Sequence, residues 1–239
     1  MSVKDKTYST NPLFDALEEF PEREPLGQSA FDKLKQAILR GDIPAGSRMV
    51  ESPIAKAMGI SRTPVREAFL KLEREGLLMK LPRGSFVVVE LTEKDIEDTF
   101  GIRAVLESYA ARLATIRHRE EDLSRLEKKI NEFKDCLDRG KMENLPEINT
   151  EFHALLYEMS DNPMLMKIIN QVGDRIYRFR KILLNSTVRA PISNEDHRKM
   201  LKAMKKRDAD KVQSLVMEHV LRAQKIVLNE LKKNPEAFT

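Results

Sequence analysis

The chain has 239 residues, of which 41% are hydrophobic and 33% are charged, and this mixture favours a helix-rich protein with a packed core. The net charge of +4 identifies no partner, and no apolar run reaches the ~20 residues that a bilayer crossing needs, so we expect no membrane association. The single cysteine, Cys136, excludes an internal disulfide. Together with the lack of an apolar signal near Met1, it predicts a cytoplasmic protein.

Residues 1–25 are predicted to form an N-terminal tail, because three prolines and many acidic side chains interrupt any regular pattern. Residues 26–90 contain three segments with apolar residues at helical spacing, namely "SAFDKLKQAILRG", "ESPIAKAMG" and "SRTPVREAFLKLEREG", each ended by a glycine. The next segment, "LLMKLPRGSFVVVEL", has β-branched and apolar residues around a Pro-Arg-Gly turn and predicts a β-hairpin. Three short helices followed by a hairpin indicate a winged helix-turn-helix domain.

Residues 91–239 show no strand pattern and predict an all-α antiparallel helical bundle, so the fold class is mainly α. Thr92 is placed to cap the first helix, and Asn162 followed by a proline is a typical start of another. We expect breaks at Gly140, Pro191 and Asp208. The later helices are predicted at about 120–138, 145–160, 163–187, 194–206 and 209–233.

The third helix of the first block begins with polar and cationic side chains around Pro64. A proline in the first helical turn costs little, because its missing N–H would have no partner there. Two hydroxyls and two guanidiniums then lie at the positive end of the helix dipole: Ser61, Arg62, Thr63 and Arg66. In a helix-turn-helix this end enters the major groove, where arginine can hold guanine with two hydrogen bonds.

A capped and solvated helix end is the alternative interpretation of these four residues. The short helix before them and the basic hairpin after them favour DNA binding. Residues 26–90 also carry 11 basic and 7 acidic side chains, a net charge of +4 on about a quarter of the chain.

All four histidines lie in the second block, and three of them fall on apolar stripes. His153 has Asn149 one helical turn before it, and His197 and His219 each align with apolar residues. His118 lies among charged residues and is expected to be solvated. A buried imidazole needs a hydrogen-bond partner or a metal ion, so three in one bundle favour a shared site over three ordinary core histidines. The spacing alone does not determine whether they converge.

The segment "GDIPAGSRMVESPIAKAMGISRTPVREAFLKLEREGLLMKLPRGSFVV" resembles the DNA-binding domain of the GntR family of bacterial transcription regulators. The similarity covers nearly all of residues 27–90. It implies DNA contacts from the recognition helix and from the wing tip by six residues: Ser61, Arg62, Thr63, Arg66, Arg83 and Gly84. The hydroxyl of Ser61 would bind a phosphate, and the wing tip would approach the minor groove. Some family members carry a DNA-contacting arginine where this chain has Ser52.

The segments "NTEFHALLYEMSDNP" and "DHRKMLKAMKKRDADKVQSLVMEHV" are similar to the FCD-type ligand-binding domain of the FadR subfamily of GntR regulators. This resemblance implies that one divalent metal ion is held by Asn149, His153, His197 and His219. The family usually has an aspartate at the position of Asn149, whose amide oxygen is a neutral and weaker ligand. Three imidazoles and one oxygen suit Zn²⁺ or Ni²⁺ better than Mn²⁺.

Arg103 matches a family arginine near the ligand pocket, which implies that it anchors a carboxylate effector. A salt bridge to Glu107, one turn further along the helix, is the alternative. Weaker effector candidates follow in "DRIYRFRK": Tyr177, Arg178 and Arg180.

The resemblance therefore implies a homodimer that binds a palindromic operator on double-stranded DNA and responds to a small organic acid. One alternative is the same DNA-binding protein with a purely structural metal. A metal-dependent hydrolase is disfavoured, because no H-E-x-x-H is present and Glu151 is placed on a different face from His153. We therefore predict a regulator and no enzyme.

Overall fold

The computed structural model describes residues 25–82, 84–174, 183 and 189–233. Some predictions fall outside these residues: nearly all of the tail 1–25, the wing-tip Arg83, and the effector candidates Tyr177, Arg178 and Arg180. The predicted helix 163–187 is described only as far as Asp174 and again at Leu183.

The first block contains three helices and a three-stranded antiparallel sheet. The elements are α1 (Leu26–Arg40), β1 (Arg48–Met49), α2 (Glu51–Met58), α3 (Arg62–Arg74), β2 (Leu78–Lys80) and β3 (Phe86–Val88). Strand β3 is central, since Val87 lies opposite Arg48 of β1 on one side and opposite Met79 of β2 on the other. The predicted winged helix-turn-helix is confirmed.

Helix α3 owes its position to one buried stripe. Val65, Ala68, Phe69 and Leu72 are completely buried, and the ring of Phe69 meets that of Phe86 edge to face at 5.2 Å. Gly59 ends α2 with a φ of +67°, a conformation that glycine adopts without steric cost. The tight turn after α2 and the packing of the stripe leave the N-terminal end of α3 on the surface.

The described part of the second block contains six α-helices and one 3₁₀ turn. They are α4 (Glu93–Arg117), α5 (Glu120–Asp138), the 3₁₀ turn Met142–Asn144, α6 (Leu145–Glu158), α7 (Pro163–Asp174), α8 (Arg189–Lys205) and α9 (Ala209–Lys233). Helices α4 and α9 pack along each other, and α5 packs on α6 and α8. The predicted all-α bundle is confirmed. None of the described helices combines the length and the apolar character that a membrane crossing requires.

The local signals for helix starts act as expected. The hydroxyl of Thr92 accepts a hydrogen bond from the backbone of Asp95 at 3.1 Å, and the Asp95 carboxylate accepts one from the backbone of Thr92 at 2.9 Å. At the start of α7, the backbone N–H of Leu165 donates to the side chain of Asn162 at 3.1 Å. Both caps fix the direction in which the chain enters its helix.

The predicted break at Pro191 is wrong. Helix α8 spans Arg189–Lys205, so Pro191 is its third residue, and the helix extends beyond the predicted range 194–206 on the N-terminal side. A proline is tolerated there because the first N–H groups of a helix have no partner within the helix. The additional turn contributes Ile192 and Ser193 to the lining of a cleft described below.

Candidate nucleic-acid interface and metal centre

The structure brings Ser61, Arg62, Thr63 and Arg66 together at the exposed N-terminal end of α3. Ser61 is the N-cap residue, yet its side chain makes no capping hydrogen bond. The guanidinium side chains of Arg62 and Arg66 are 62% and 57% exposed. One surface therefore presents hydroxyls, two cations and the positive end of a helix dipole.

Both arginines also contact Glu51, an acid that the sequence pattern did not indicate. Arg66 donates two hydrogen bonds to Glu51, from Nε to Oε1 and from Nη2 to Oε2, and both distances are 2.8 Å. Arg62 donates from Nη2 to Oε2 of the same carboxylate at 3.2 Å. The hydrogen bond from Arg66, reinforced by Arg62, holds the pKa of the Glu51 carboxyl below its usual value. The only sequence signal was an acid at the first position of the second helix.

The wing is the hairpin of β2 and β3, and β2 follows α3 directly in the chain. Gly84 occupies the turn between β2 and β3 with a φ of +79°, which favours glycine. Arg48 donates from Nε to the hydroxyl of Ser85 at 3.2 Å, and Lys80 at the end of β2 is exposed. These two cations at the wing were not anticipated, since a β-strand gives no sign of which face it presents to a ligand.

Helices α6, α8 and α9 bring His153, His197 and His219 together in the bundle. One ring nitrogen from each lies within 4.8 Å of the others, and the ring centroids are 5.0 to 5.4 Å apart. Asn149 lies one turn before His153 on α6 and is buried. The spacing of the residues along the chain could not show this convergence, because it depends on how three helices pack.

A hydrogen-bonded chain orients His153. The phenol of Tyr157 donates to Oε2 of Glu107 at 2.6 Å, and its oxygen lies 3.1 Å from Nδ1 of His153. Because the phenol proton goes to the carboxylate, Nδ1 is the protonated nitrogen and Nε2 keeps its lone pair. Arg103 donates from Nε to Oε1 of Glu107 at 2.6 Å, so the alternative prediction of an Arg103–Glu107 salt bridge is confirmed.

A second acid orients His219. Oδ2 of Asp196 accepts a hydrogen bond from Nδ1 of His219 at 3.1 Å and another from Arg222. Burial opposes ionisation of Asp196, but the hydrogen bond from His219 and the nearby positive charges outweigh it and keep the pKa of the carboxyl below its usual value. An outer carboxylate of this kind fixes the tautomer of a metal-binding imidazole.

His197 is fully buried and lies stacked on Phe152, with ring centroids 3.9 Å apart and an interplanar angle of 16°. Burial, together with the neighbouring His219, lowers the pKa of His197 well below its usual value, so its imidazole is neutral. Nε2 of His197 and Oδ1 of Asn149 are both buried without a hydrogen-bond partner among the described residues. Orphaned acceptors beside oriented imidazoles fit a divalent cation with three nitrogen ligands and one oxygen ligand.

Two clefts are lined in part by residues of this cluster. The first, of about 160 Å³, is named here the Arg103 cleft and is lined by Arg103, Glu107, Thr150, His153, Ala154, Tyr157, Ile169, Asn170, Gly173 and Asp174. The second, of about 80 Å³, is named the Arg222 cleft and is lined by Asn149, Leu183, Arg189, Ile192, Ser193, Asp196, His219, Arg222, Ala223 and Ile226. Each cleft places an arginine close to a residue of the predicted metal site.

Two predictions about other side chains have different outcomes. His118 was expected to be solvated but is only 6% exposed, because its ring lies under the end of α4 with Nδ1 3.2 Å from the carbonyl of Ala114. Glu151 points away from His153, as expected, and pairs with Lys129 at 2.6 Å. The carboxylates next to the histidines, Glu107 and Asp196, are instead occupied by hydrogen bonds.

A winged helix-turn-helix joined to a helical bundle with a histidine cluster defines a class of DNA-binding transcription regulators. The chain matches the family model of the bacterial regulatory proteins of the gntR family over residues 26–88 and that of the FCD domain over residues 98–222. It therefore belongs to the GntR family of regulators with an FCD domain, and it is a transcription regulator rather than an enzyme.

Curated relatives and solved structures agree with this assignment. The chain is 32% identical to the HTH-type transcriptional regulator YdhC of Bacillus subtilis (strain 168), over 79% of this chain and 85% of that protein. It is 24% identical to the HTH-type transcriptional repressor RspR of Escherichia coli (strain K12), over 90% and 95% of the two chains. The structure of E. coli McbR/YncC has the same fold, with a TM-score of 0.73 at 24% identity over 88% of this chain and all of that one.

Proposed function

We propose that this regulator binds a roughly palindromic operator as a homodimer and that a small organic acid, bound beside a metal ion in the FCD domain, changes its affinity for DNA. This function is that of a metabolite-responsive member of the FadR subfamily. The observation that carries the proposal is the convergence of three histidines from three helices, with one ring nitrogen of each within 4.8 Å of the others.

The proposed ligands of the metal ion are Asn149, His153, His197 and His219. The outer contacts described above engage Nδ1 of His153 and of His219, and His197 and Asn149 each contribute a buried polar atom without a hydrogen-bond partner among the described residues. Zn²⁺ and Ni²⁺ suit this donor set. When bound, the ion would supply a positive charge and open coordination positions for a carboxylate.

The proposed effector site is the Arg103 cleft. The Nε of Arg103 is engaged by Glu107, but a guanidinium has five N–H donors, so its other edge can still bind a carboxylate. His153 lines the same cleft, so an acid anchored on Arg103 is close to the metal site.

The proposed coupling to the DNA-binding domain uses Asp174. This residue lines the Arg103 cleft and also pairs with Lys35 of α1 at 2.6 Å, while Lys35 pairs with Glu75 after α3 at 2.8 Å. Burial disfavours the charged form of Lys35, but the bonds to both acids outweigh it and raise the pKa of its ammonium. A negatively charged effector near Asp174 would therefore alter the balance between two arrangements of the domains.

The proposed dimer interface is an exposed apolar stripe on α4. Ile102, Val105, Tyr109 and Ile116 are 46% to 60% exposed and repeat at spacings of three, four and seven residues, which is the periodicity of a helix-helix seam. A second copy of the chain could place the same stripe against it in a two-fold contact. A dimer presents two recognition helices, as a palindromic operator requires.

The experiment follows thermal unfolding of the untagged protein after chelation, with Zn²⁺ or Ni²⁺ restored or withheld, against a panel of mono-, di- and tricarboxylates. An acid at 100 times its Kd contributes about 2.7 kcal/mol. That energy corresponds to a rise in Tm of roughly 5–10 °C for a domain of this size. The carboxylate that is the effector should raise Tm only when metal is present. It should also change the affinity of the protein for DNA.

Equal stabilisation with and without metal would place the acid away from the cluster. A Tm that depends on metal but on no acid would favour the structural-metal alternative. Asn149 is the reason to test this alternative, because its amide oxygen is a neutral and weaker ligand than the aspartate usual in the family.

A further inference from the structure

The position of Glu51 relative to the recognition helix has a consequence for DNA readout. Glu51 is the first residue of α2, and the arginines that it binds lie in the first two turns of α3. The Glu51 side chain is only 12% exposed, whereas both arginine side chains are more than half exposed. The carboxylate therefore lies beneath the two guanidiniums, on the side away from solvent.

Arg66 binds Glu51 through one defined edge. Its Nε and Nη2 each donate a hydrogen bond of 2.8 Å to a different carboxylate oxygen of Glu51. The opposite edge of the planar guanidinium, with the N–H groups of Nη1 and the second N–H of Nη2, stays available. That edge can bind O6 and N7 of guanine end-on, so Arg66 can hold Glu51 and a guanine at the same time.

Binding a DNA phosphate can disrupt the contacts among Glu51, Arg62 and Arg66. A phosphate that Arg62 or Arg66 can reach only by turning away leaves Glu51 as an unpaired carboxylate next to an anionic backbone, which is costly. With Glu51 in place, the three side chains together carry a charge of +1 instead of +2, which weakens attraction to DNA of any sequence. Phosphate contacts that break the pairing with Glu51 are therefore penalised, while a guanine contact through the free edge of Arg66 is not.

We propose that Glu51 is a specificity-determining residue of the DNA-binding surface: it holds Arg62 and Arg66 as one preformed reading unit that binds a guanine without releasing the carboxylate, and it disfavours non-specific phosphate contacts. This inference rests on the proposed operator binding and extends it to a residue outside the recognition helix.

The experiment uses the full-length protein and duplex DNA. Selection from a random-sequence duplex library first defines the sequence preferred by wild type. Fluorescence anisotropy then measures the Kd of wild type and of Glu51→Gln on that duplex and on a scrambled duplex of equal composition, over a range of salt concentrations. Glutamine has the shape of glutamate without its charge. Glu73→Gln, which changes the same charge two turns beyond Arg66 on α3, is the matched control.

Glu51→Gln should bind the scrambled duplex about 3- to 10-fold more tightly, with a salt dependence steeper by about one phosphate contact. The affinity for the selected duplex should not increase. The ratio of the affinity for the selected duplex to that for the scrambled duplex should therefore fall about tenfold or more. Glu73→Gln should keep the wild-type ratio. Glu51→Asp retains the charge but is too short to hold both arginines, so it should keep the wild-type salt dependence and lose specificity.

Wild-type ratios and salt slopes in Glu51→Gln would overturn the inference. If that variant fails to fold, as judged by circular dichroism, a wild-type ratio in Glu51→Asp overturns it instead. If wild type enriches no sequence from the library, the proposed operator binding itself fails. That outcome differs from one in which wild type enriches a sequence but the variants show the same affinity ratio as wild type.

Discussion

His219 on α9 donates a hydrogen bond from Nδ1 to Oδ2 of Asp196 on α8 at 3.1 Å, and this contact joins two residues that lie 23 positions apart in sequence. It compensates in part for the amide at position 149, because the negative charge that Asn149 lacks is supplied one layer further out. The neutral amide of Asn149, a proposed ligand, and the carboxylate of Asp196 would together set the charge of the proposed metal site.

Replacing Asp196 by asparagine should therefore weaken metal binding. Loss of an outer carboxylate typically costs 10- to 100-fold in metal affinity, because the imidazole loses its fixed orientation and some of its basicity. Competition with a chromophoric chelator measures the change. Glu151→Gln is the control, since Glu151 is close in sequence to His153 but pairs with Lys129 on another face. Equal affinities in the two variants would refute the role of Asp196.

Replacing Tyr157 by phenylalanine should destabilise the bundle by about 1–3 kcal/mol, because Glu107 is almost completely buried and would lose one of its two donors. Urea unfolding of the metal-free protein gives this energy without a contribution from a bound ion. Ser214→Ala removes a hydroxyl from an exposed side chain on α9, outside the stripe on α4, and it should leave the unfolding free energy nearly unchanged. Similar losses in both variants would contradict the proposed chain of hydrogen bonds.

The two clefts can be distinguished by removing one guanidinium from each. Arg103→Met should abolish the stabilisation by the active carboxylate, because it deletes the proposed anchor in the Arg103 cleft. Arg222→Met should retain most of it, since Arg222 lines the other cleft. Thermal unfolding with increasing acid provides the measurement. The reverse pattern would place the effector in the Arg222 cleft.

Val105→Glu should weaken the dimer, because it puts a charge in the middle of the exposed stripe on α4, where Val105 is 60% exposed. A charge buried without a partner is costly, so light scattering after size-exclusion chromatography should report a monomer at concentrations where wild type is dimeric. Met164→Glu, on α7 and outside the stripe, is the control, since Met164 is 75% exposed. A dimer that tolerates Val105→Glu but not Met164→Glu would move the interface to α7.

Local chemistry made much of the fold predictable. The glycine at the end of α2, the capping box of Thr92 and Asp95 and the cap at Asn162 act over a few residues, so their effect can be read directly from neighbouring positions. Pro191 shows the limit of such reasoning. A proline marks either a break or a first turn, and only the remaining residues of the helix decide between them.

The candidate site was predictable only in part. The resemblance named the histidines, but the partners that orient them lie on other helices: Glu107 is 50 residues from Tyr157, and Asp196 is 23 from His219. Periodicity reports which face of a helix is apolar, and it does not report what packs against that face. Glu51 was missed for the same reason, since its contacts with the recognition helix arise from the angle between two helices.

The measurement to make before all others is the metal content of the untagged protein by plasma mass spectrometry, beside a His153→Ala/His219→Ala variant. About one Zn²⁺ or Ni²⁺ per chain in wild type, lost in the variant, is the result expected of a site built from these residues. Wild type without metal after incubation with both ions would contradict the metal-centred effector site. The DNA-binding surface on α3 would be unaffected by that result, because it does not depend on the histidine cluster.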